Sequence, residues 1–140
     1  MAKTEIAIVT EIRDGELMPI PLLAAAVILQ GTFAVVDGTG HGIASDDVGG
    51  ADQICLGIWD HSAENTGANG DLLGLVHRNK QFLVRNSTVD PVTQADMGQL
   101  VYIQDNQTIA KTHNTNARPI AGTFLGFDTQ FTDHVWVEIA

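Results

Sequence analysis

Cysteine is almost missing from this chain: Cys55 stands alone among 140 residues. A disulfide framework within one chain is thereby excluded, and in the apolar run 54–59 a single thiol reads most simply as a small buried hydrophobe. Basic side chains are also scarce, 7 Lys and Arg against 17 Asp and Glu, for a formal charge of -10. Affinity for nucleic acid comes largely from cations that neutralise phosphates. No nucleic-acid partner is therefore expected, and Arg78, Lys80 and Arg85 form only a loose basic group. A large partner would have to meet apolar or hydrogen-bonding patches on an acidic, self-repelling surface. Long apolar runs are lacking too. The run at 22–29 falls far short of the roughly 20 residues that a bilayer-spanning helix needs. Glu5 stands where a secretory signal would require an apolar core. These absences predict a soluble chain synthesised in a cytoplasm, with no membrane partner.

What is present is β patterning. A chain of this size buries roughly 68–70% of its unfolded surface, enough for one domain with a genuine core. Residues 31–36 and 54–59 read as strands, and residues 71–77 and 81–85 as a hairpin around Asn79. The run 22–29 also reads as strand. Residues 100–104 and 108–111 flank a tight Asp105-Asn106-Gln107 turn. In the closing strand Val135, Val137 and Ile139 share one face, with Trp136 and Glu138 on the other, as a period of two requires. One short helical turn is expected at 93–97, where Thr93 caps, Asp96 follows at capping-box spacing and Gly98 ends the turn. Ahead of all this, Ile6 to Val9 reads as a short strand, and Pro19 and Pro21 forbid regular helix. The expected organisation is an all-β, compact β-barrel or sandwich-like domain of short strands over 22–140. Residues 1–21 form an extended N-terminal arm or an edge strand. A loose likeness between 31–60 and 98–128 hints at a duplicated hairpin unit.

Candidate chemistry is sparse. His41, His61, His77, His113 and His134 are scattered beside turns, and no pair has the spacing that puts two imidazoles on one helix face for zinc. Cys55 and His61 straddle a strand end and its loop, which makes a nucleophile and base a poorer reading than a structural thiol and a surface imidazole. Asp60-His61 and Asp133-His134 are neighbours in sequence, but catalysis needs the carboxylate to orient the imidazole in space. Gly38, Gly40 and Gly42 lead into an acidic, glycine-broken segment rather than a helix, so a phosphate loop is not indicated. Residues 60–71 have the length of a calcium loop, yet the sixth is Asn65 where that turn uses glycine. No catalytic, metal or cofactor residue is assigned. Among the aromatics, Phe131 lies in a polar loop and is a candidate partner anchor; Ile6, Ile8 and Ile12 are candidate interface residues of the arm.

Pro91-Val92-Thr93-Gln94-Ala95-Asp96-Met97-Gly98, Val101-Tyr102-Ile103, the stretch 105–111, Arg118, Ala121-Gly122 and Val135-Trp136-Val137 resemble the small cement, or decoration, proteins of tailed-bacteriophage capsids. The likeness extends over roughly residues 24–140. It implies a non-enzymatic β domain, without cofactor, on the exterior of a virion capsid. Its partner would be the major capsid protein, and its own state a homo-oligomer, most simply a homotrimer. The role implied is capsid stabilisation by bracing contacts between neighbouring capsid subunits. The alternatives are another virion component, such as a head-fibre base, tail or host-binding module, and, more remotely, a small hydrolase using Cys55 or a histidine.

Overall fold

The computed structural model describes residues 3–13 and 15–140. Its architecture is all-β, built from eleven short strands among the described residues. Two sheets carry the fold. The first is four-stranded and orders β1 (Leu17–Pro21), β6 (Leu73–His77), β4 (Ile54–Trp59) and β3 (Phe33–Val36), all antiparallel. The second closes on itself as a five-stranded barrel of β10 (Ile120–Phe127), β11 (His134–Ile139), β7 (Lys80–Asn86), β9 (Thr108–Ala110) and β8 (Leu100–Ile103). Its one parallel contact, β7 with β9, completes the ring. A small ribbon of β2 (Val27–Ile28) and β5 (Ala63–Glu64) lies apart.

Burial explains why β3 reads as an unbroken apolar run. Phe33 and Val35 enter the barrel core beside Val101, Ile109, Phe124 and Val137, while Ala34 and Val36 enter a second core with Leu22, Ile28, Trp59 and Val76. A strand covered on both faces needs apolar side chains at every position, which is what Phe33-Ala34-Val35-Val36 supplies. In the barrel only one face is inward, so alternation is clean. Val135 and Val137 stand opposite Val84 and Phe82 and point in, while Trp136 and Glu138 point out. Each fully buried Val, Leu or Phe side chain contributes roughly 1.5–3 kcal/mol.

Closure of so small a barrel depends on β10, whose register shifts twice, once against β8 between Ile120 and Gly122 and once against β11 between Phe124 and Phe127. Such bulges sharpen twist and bend a strand around a corner. Gly122 is required there because a Cβ would collide with the Glu138 carbonyl.

Several expectations need correction. Residues 73–77 and 80–86 are strands, but they do not pair as a hairpin: β6 belongs to the open sheet and β7 to the barrel. The chain crosses between sheets at Arg78 and Asn79, whose N–H groups donate to the carbonyls of Glu16 (3.0 Å) and Ile139 (2.7 Å). The run 22–29 is strand only at Val27–Ile28, since Ala24-Ala25 turns with Ala25 at φ 63. No strand forms over Ile6 to Val9; the first strand begins at Leu17, and its prolines are tolerated because β1 is a sheet edge. The two stretches that look alike each hold an antiparallel strand pair, β3 with β4 in the open sheet and β8 with β10 in the barrel.

The expected helical turn is present at Gln94–Asp96, with both halves of the capping box made between Thr93 and Asp96. Nearby, Asp90 ties the loop 111–119 to the body of the fold. Its Oδ2 accepts from the Thr112 hydroxyl (2.6 Å), the Thr112 N–H (3.1 Å) and Arg118 Nη1 (2.9 Å). These bonds, the Thr112 hydroxyl foremost, hold the Asp90 carboxyl below its ordinary range. A carboxylate with a depressed folded pKa stabilises the fold above the unfolded value near 3.8 and loses that contribution as pH falls through the folded value. Asp90→Asn is therefore expected to lower stability at pH 7 and to flatten its fall below about pH 4, as read from urea midpoints across pH.

Candidate functional site

Every histidine has an ordinary local partner. His77 Nε2 meets Asp60 Oδ1 at 2.5 Å, so Asp60 pairs with a residue of β6 and not with its sequence neighbour His61. His61 Nε2 accepts from the Leu75 N–H, His41 Nδ1 lies 3.0 Å from the Thr39 hydroxyl, and His113 Nδ1 accepts from the Asn116 N–H. His134 Nδ1 lies 2.7 Å from Asp133 Oδ1, and Arg85 approaches the other carboxylate oxygen at 3.8 Å. That bond to His134 is the main cause holding Asp133 low. Sequence reading missed the Asp60–His77 pair because only the β4–β6 ladder brings these residues together.

Cys55 points toward the barrel core, and its Sγ donates to the Gly57 carbonyl at 3.7 Å. Burial pushes its thiol up to about 12. Six residues of extended chain separate it from His61, on the order of 15–20 Å. Labelling by a thiol reagent at pH 8 is expected to be slower in native protein than in 8 M urea because burial disfavours the thiolate, and equal rates would refute the buried-thiol assignment.

The glycine turn at 37–42 folds on itself. Asp37 Oδ1 accepts from the Thr39 hydroxyl and N–H, which lowers the Asp37 carboxyl. In the 60–71 loop Asn65 is buried and spends its side-chain amide on the carbonyls of Leu22, Leu23 and Ala68, at 3.1, 3.1 and 2.9 Å. Asp71 accepts from the Ala68 N–H. No group of three or more His, Cys, Asp or Glu suited to a metal ion occurs among the described residues. In the loose basic group Lys80 pairs with Glu16 and Arg85 approaches Asp133, while Arg78 donates to the neutral Met18 Sδ and its buried Nε has no hydrogen-bond partner among the described residues.

Apolar groups, by contrast, are left outside the cores. Ile6, Ile8, Val9 and Ile12 are 77, 68, 92 and 93% exposed. Phe131 is half exposed on a fixed turn, where Asp128 Oδ2 accepts the N–H groups of Gln130 (2.9 Å) and Phe131 (2.7 Å), and its ring stands edge-on to His134 at 5.9 Å. An aromatic held by its own turn loses little entropy on contact, which suits an anchor. Ile54 and Ile120 are exposed as well, on opposite walls of a groove of about 370 Å³ where the open sheet meets the barrel. The groove had no signature in the sequence, since its walls come from residues 53–55, 120–123 and 138–140.

Among the described residues no helix is long and apolar enough to cross a membrane. Comparison with protein-family models, with curated proteins and with solved structures finds no match for the chain.

Proposed function

We propose that this chain is a non-enzymatic virion structural protein that binds the outer surface of a tailed-phage head and stabilises contacts between major capsid proteins. The observation that carries the reading is Phe131, half exposed and held on its own turn by Asp128, an apolar anchor that gains burial only by meeting another surface. The resemblance of 24–140 to capsid cement proteins supplies the kind of surface, and the charge of -10 suits an exterior position away from packaged DNA. Repeated copies need only standard interfaces of about 1,600 Å², because multiple contacts per oligomer add avidity.

The test is to add purified protein to phage heads stripped of their decoration and measure binding and resistance to heat or chelator. Saturable binding with raised resistance is expected. Heads that neither bind nor gain stability would overturn the proposal, and binding to tails or host surfaces instead would point to another virion component.

A further inference from the structure

We infer that the N-terminal arm of one copy inserts into the groove of a second copy, adding a strand to the free edge of β4. The edge is visible in the ladder. β6 pairs with β4 only through Ile58 with His77 and Trp59 with Val76, and then leaves the sheet at Arg78. Ile54, Cys55 and Leu56 therefore have no hydrogen-bonded strand on that side among the described residues, where β10 faces them across the groove, while β3 covers the other. The groove occupies the line that β6 vacates. Its walls are Ile54 and Cys55 on one side and Ile120, Ala121 and Ile139 on the other, with Ile54 59% and Ile120 51% exposed. An unpaired strand edge beside an apolar wall is a template for an extended chain.

The arm has the matching pattern. In extended conformation Ile6, Ile8, Thr10 and Ile12 share one face, and Glu5, Ala7, Val9 and Glu11 share the other. One row can enter an apolar groove while the acidic row stays in water. The arm also starts at the right place. Glu16 is fixed to Arg78 through its carbonyl and to Lys80 through its carboxylate. The next residue, Asn79, donates to Ile139, which is a groove wall. The arm thus leaves the fold at the groove's rim.

The arm of the same copy is not seated in its own groove: Ile6, Ile8, Val9 and Ile12 stand 68–93% exposed and none of them lines it, which leaves the groove to the arm of a second copy. Each copy then gives one arm and receives one, as a two-fold exchange and a closed ring both allow. The inference builds on the homo-oligomer of the proposed function but not on capsid binding.

Cross-linking between two kinds of chain tests it. In a Cys55→Ser background, one chain carries a mass tag and a cysteine in place of Ile6, Ile8, Thr10 or Ile12 in turn, and the other carries Ile54→Cys. Mixing and mild oxidation should join tagged to untagged chains at one or two arm positions. The yield should exceed that with Val89→Cys, an exposed position outside the groove that sets the collision level. Removing residues 1–13, or Ile54→Glu, should each reduce the oligomer to monomer in light scattering, with the far-UV spectrum retained and a lower melt that no longer depends on protein concentration. Links no stronger than the Val89 control, or an oligomer indifferent to both changes, would overturn the inference. Arm exchange by a protein that ignores stripped heads would leave the inference standing while the capsid reading fell.

Discussion

Trp59→Ala is expected to lower the free energy of unfolding by about 3–5 kcal/mol, among the largest effects of any single truncation in this fold. Trp59 is the largest fully buried side chain. Its ring fills the second core against Leu22, Ile28 and Val76, and two glycines make room for it. A Cβ at Gly74 would stand 2.5 Å from Trp59 Cζ3, and one at Gly42 would stand 3.0 Å from Cη2. Glycine backbones have no side chain to swing into the space that alanine would leave, so the cavity stays open, while loss of the indole Nε1–H, buried without a hydrogen-bond partner among the described residues, offsets part of the cost. The backbone at 59 is also a junction, donating to the Thr32 carbonyl and accepting from the Gly31 N–H; those bonds survive the substitution. The loss should therefore appear as a lower urea midpoint with an unchanged m-value, followed by far-UV circular dichroism. Val89→Ala serves as the contrast, with no expected effect on stability because Val89 is 77% exposed and packs against neither core. A change below about 1 kcal/mol for Trp59→Ala would mean that the second core is not closed around this ring.

The barrel half was legible in the sequence where its information is local, although β10, on which closure depends, carried no strand reading. Alternation in Val135 to Ile139, the Asp105-Asn106-Gln107 turn and the Thr93–Asp96 capping box each lie within a few residues, and each is found in place. The open-sheet half was not, because its decisive contacts are distant. The apolar run 22–29 satisfies any strand pattern, yet its backbone is claimed by partners far along the chain. Asn69 Oδ1 accepts from Ala24 N–H, and the Asn65 carbonyl accepts from Ala25 N–H. Similarly, the short connection at 78–79 joins two strand patterns whether they pair or part company. Only the carbonyls of Glu16 and Ile139 decide that they part. Of the candidate surface, the alternating isoleucines of the arm and the lone Phe131 could be read from pattern. The groove could not, since no residue in it is unusual by type and its shape arises from β6 leaving the sheet.

Asn65 carries the second large prediction. It is 1% exposed, and one side-chain amide nitrogen serves three carbonyls while its oxygen accepts from the Gly67 N–H at 3.1 Å. Asn65→Ala removes all four bonds at once. Each carbonyl retains one other donor, Gly70 at Leu22, Ala26 at Leu23 and Asp71 at Ala68, so the loss is moderated, at about 2–3 kcal/mol. Asn65→Asp is expected to cost more at pH 7, although it is the smaller change in shape. A carboxylate oxygen would then face three carbonyl oxygens with no proton between them, and an unpaired buried charge costs several kcal/mol. Lowering the pH protonates that carboxylate and returns one donor, so the gap between the aspartate and alanine variants should narrow. Comparing the two variants at each pH cancels the acid sensitivity that Asp90 gives to both. Calcium supplies the opposing outcome. If the amide is the keystone of this loop, adding calcium leaves the urea midpoint of Asn65→Asp where it was. A midpoint raised by millimolar calcium would mean that residues 60–71 can still gather oxygens around a cation, and that the amide at 65 stands where an ion would otherwise sit.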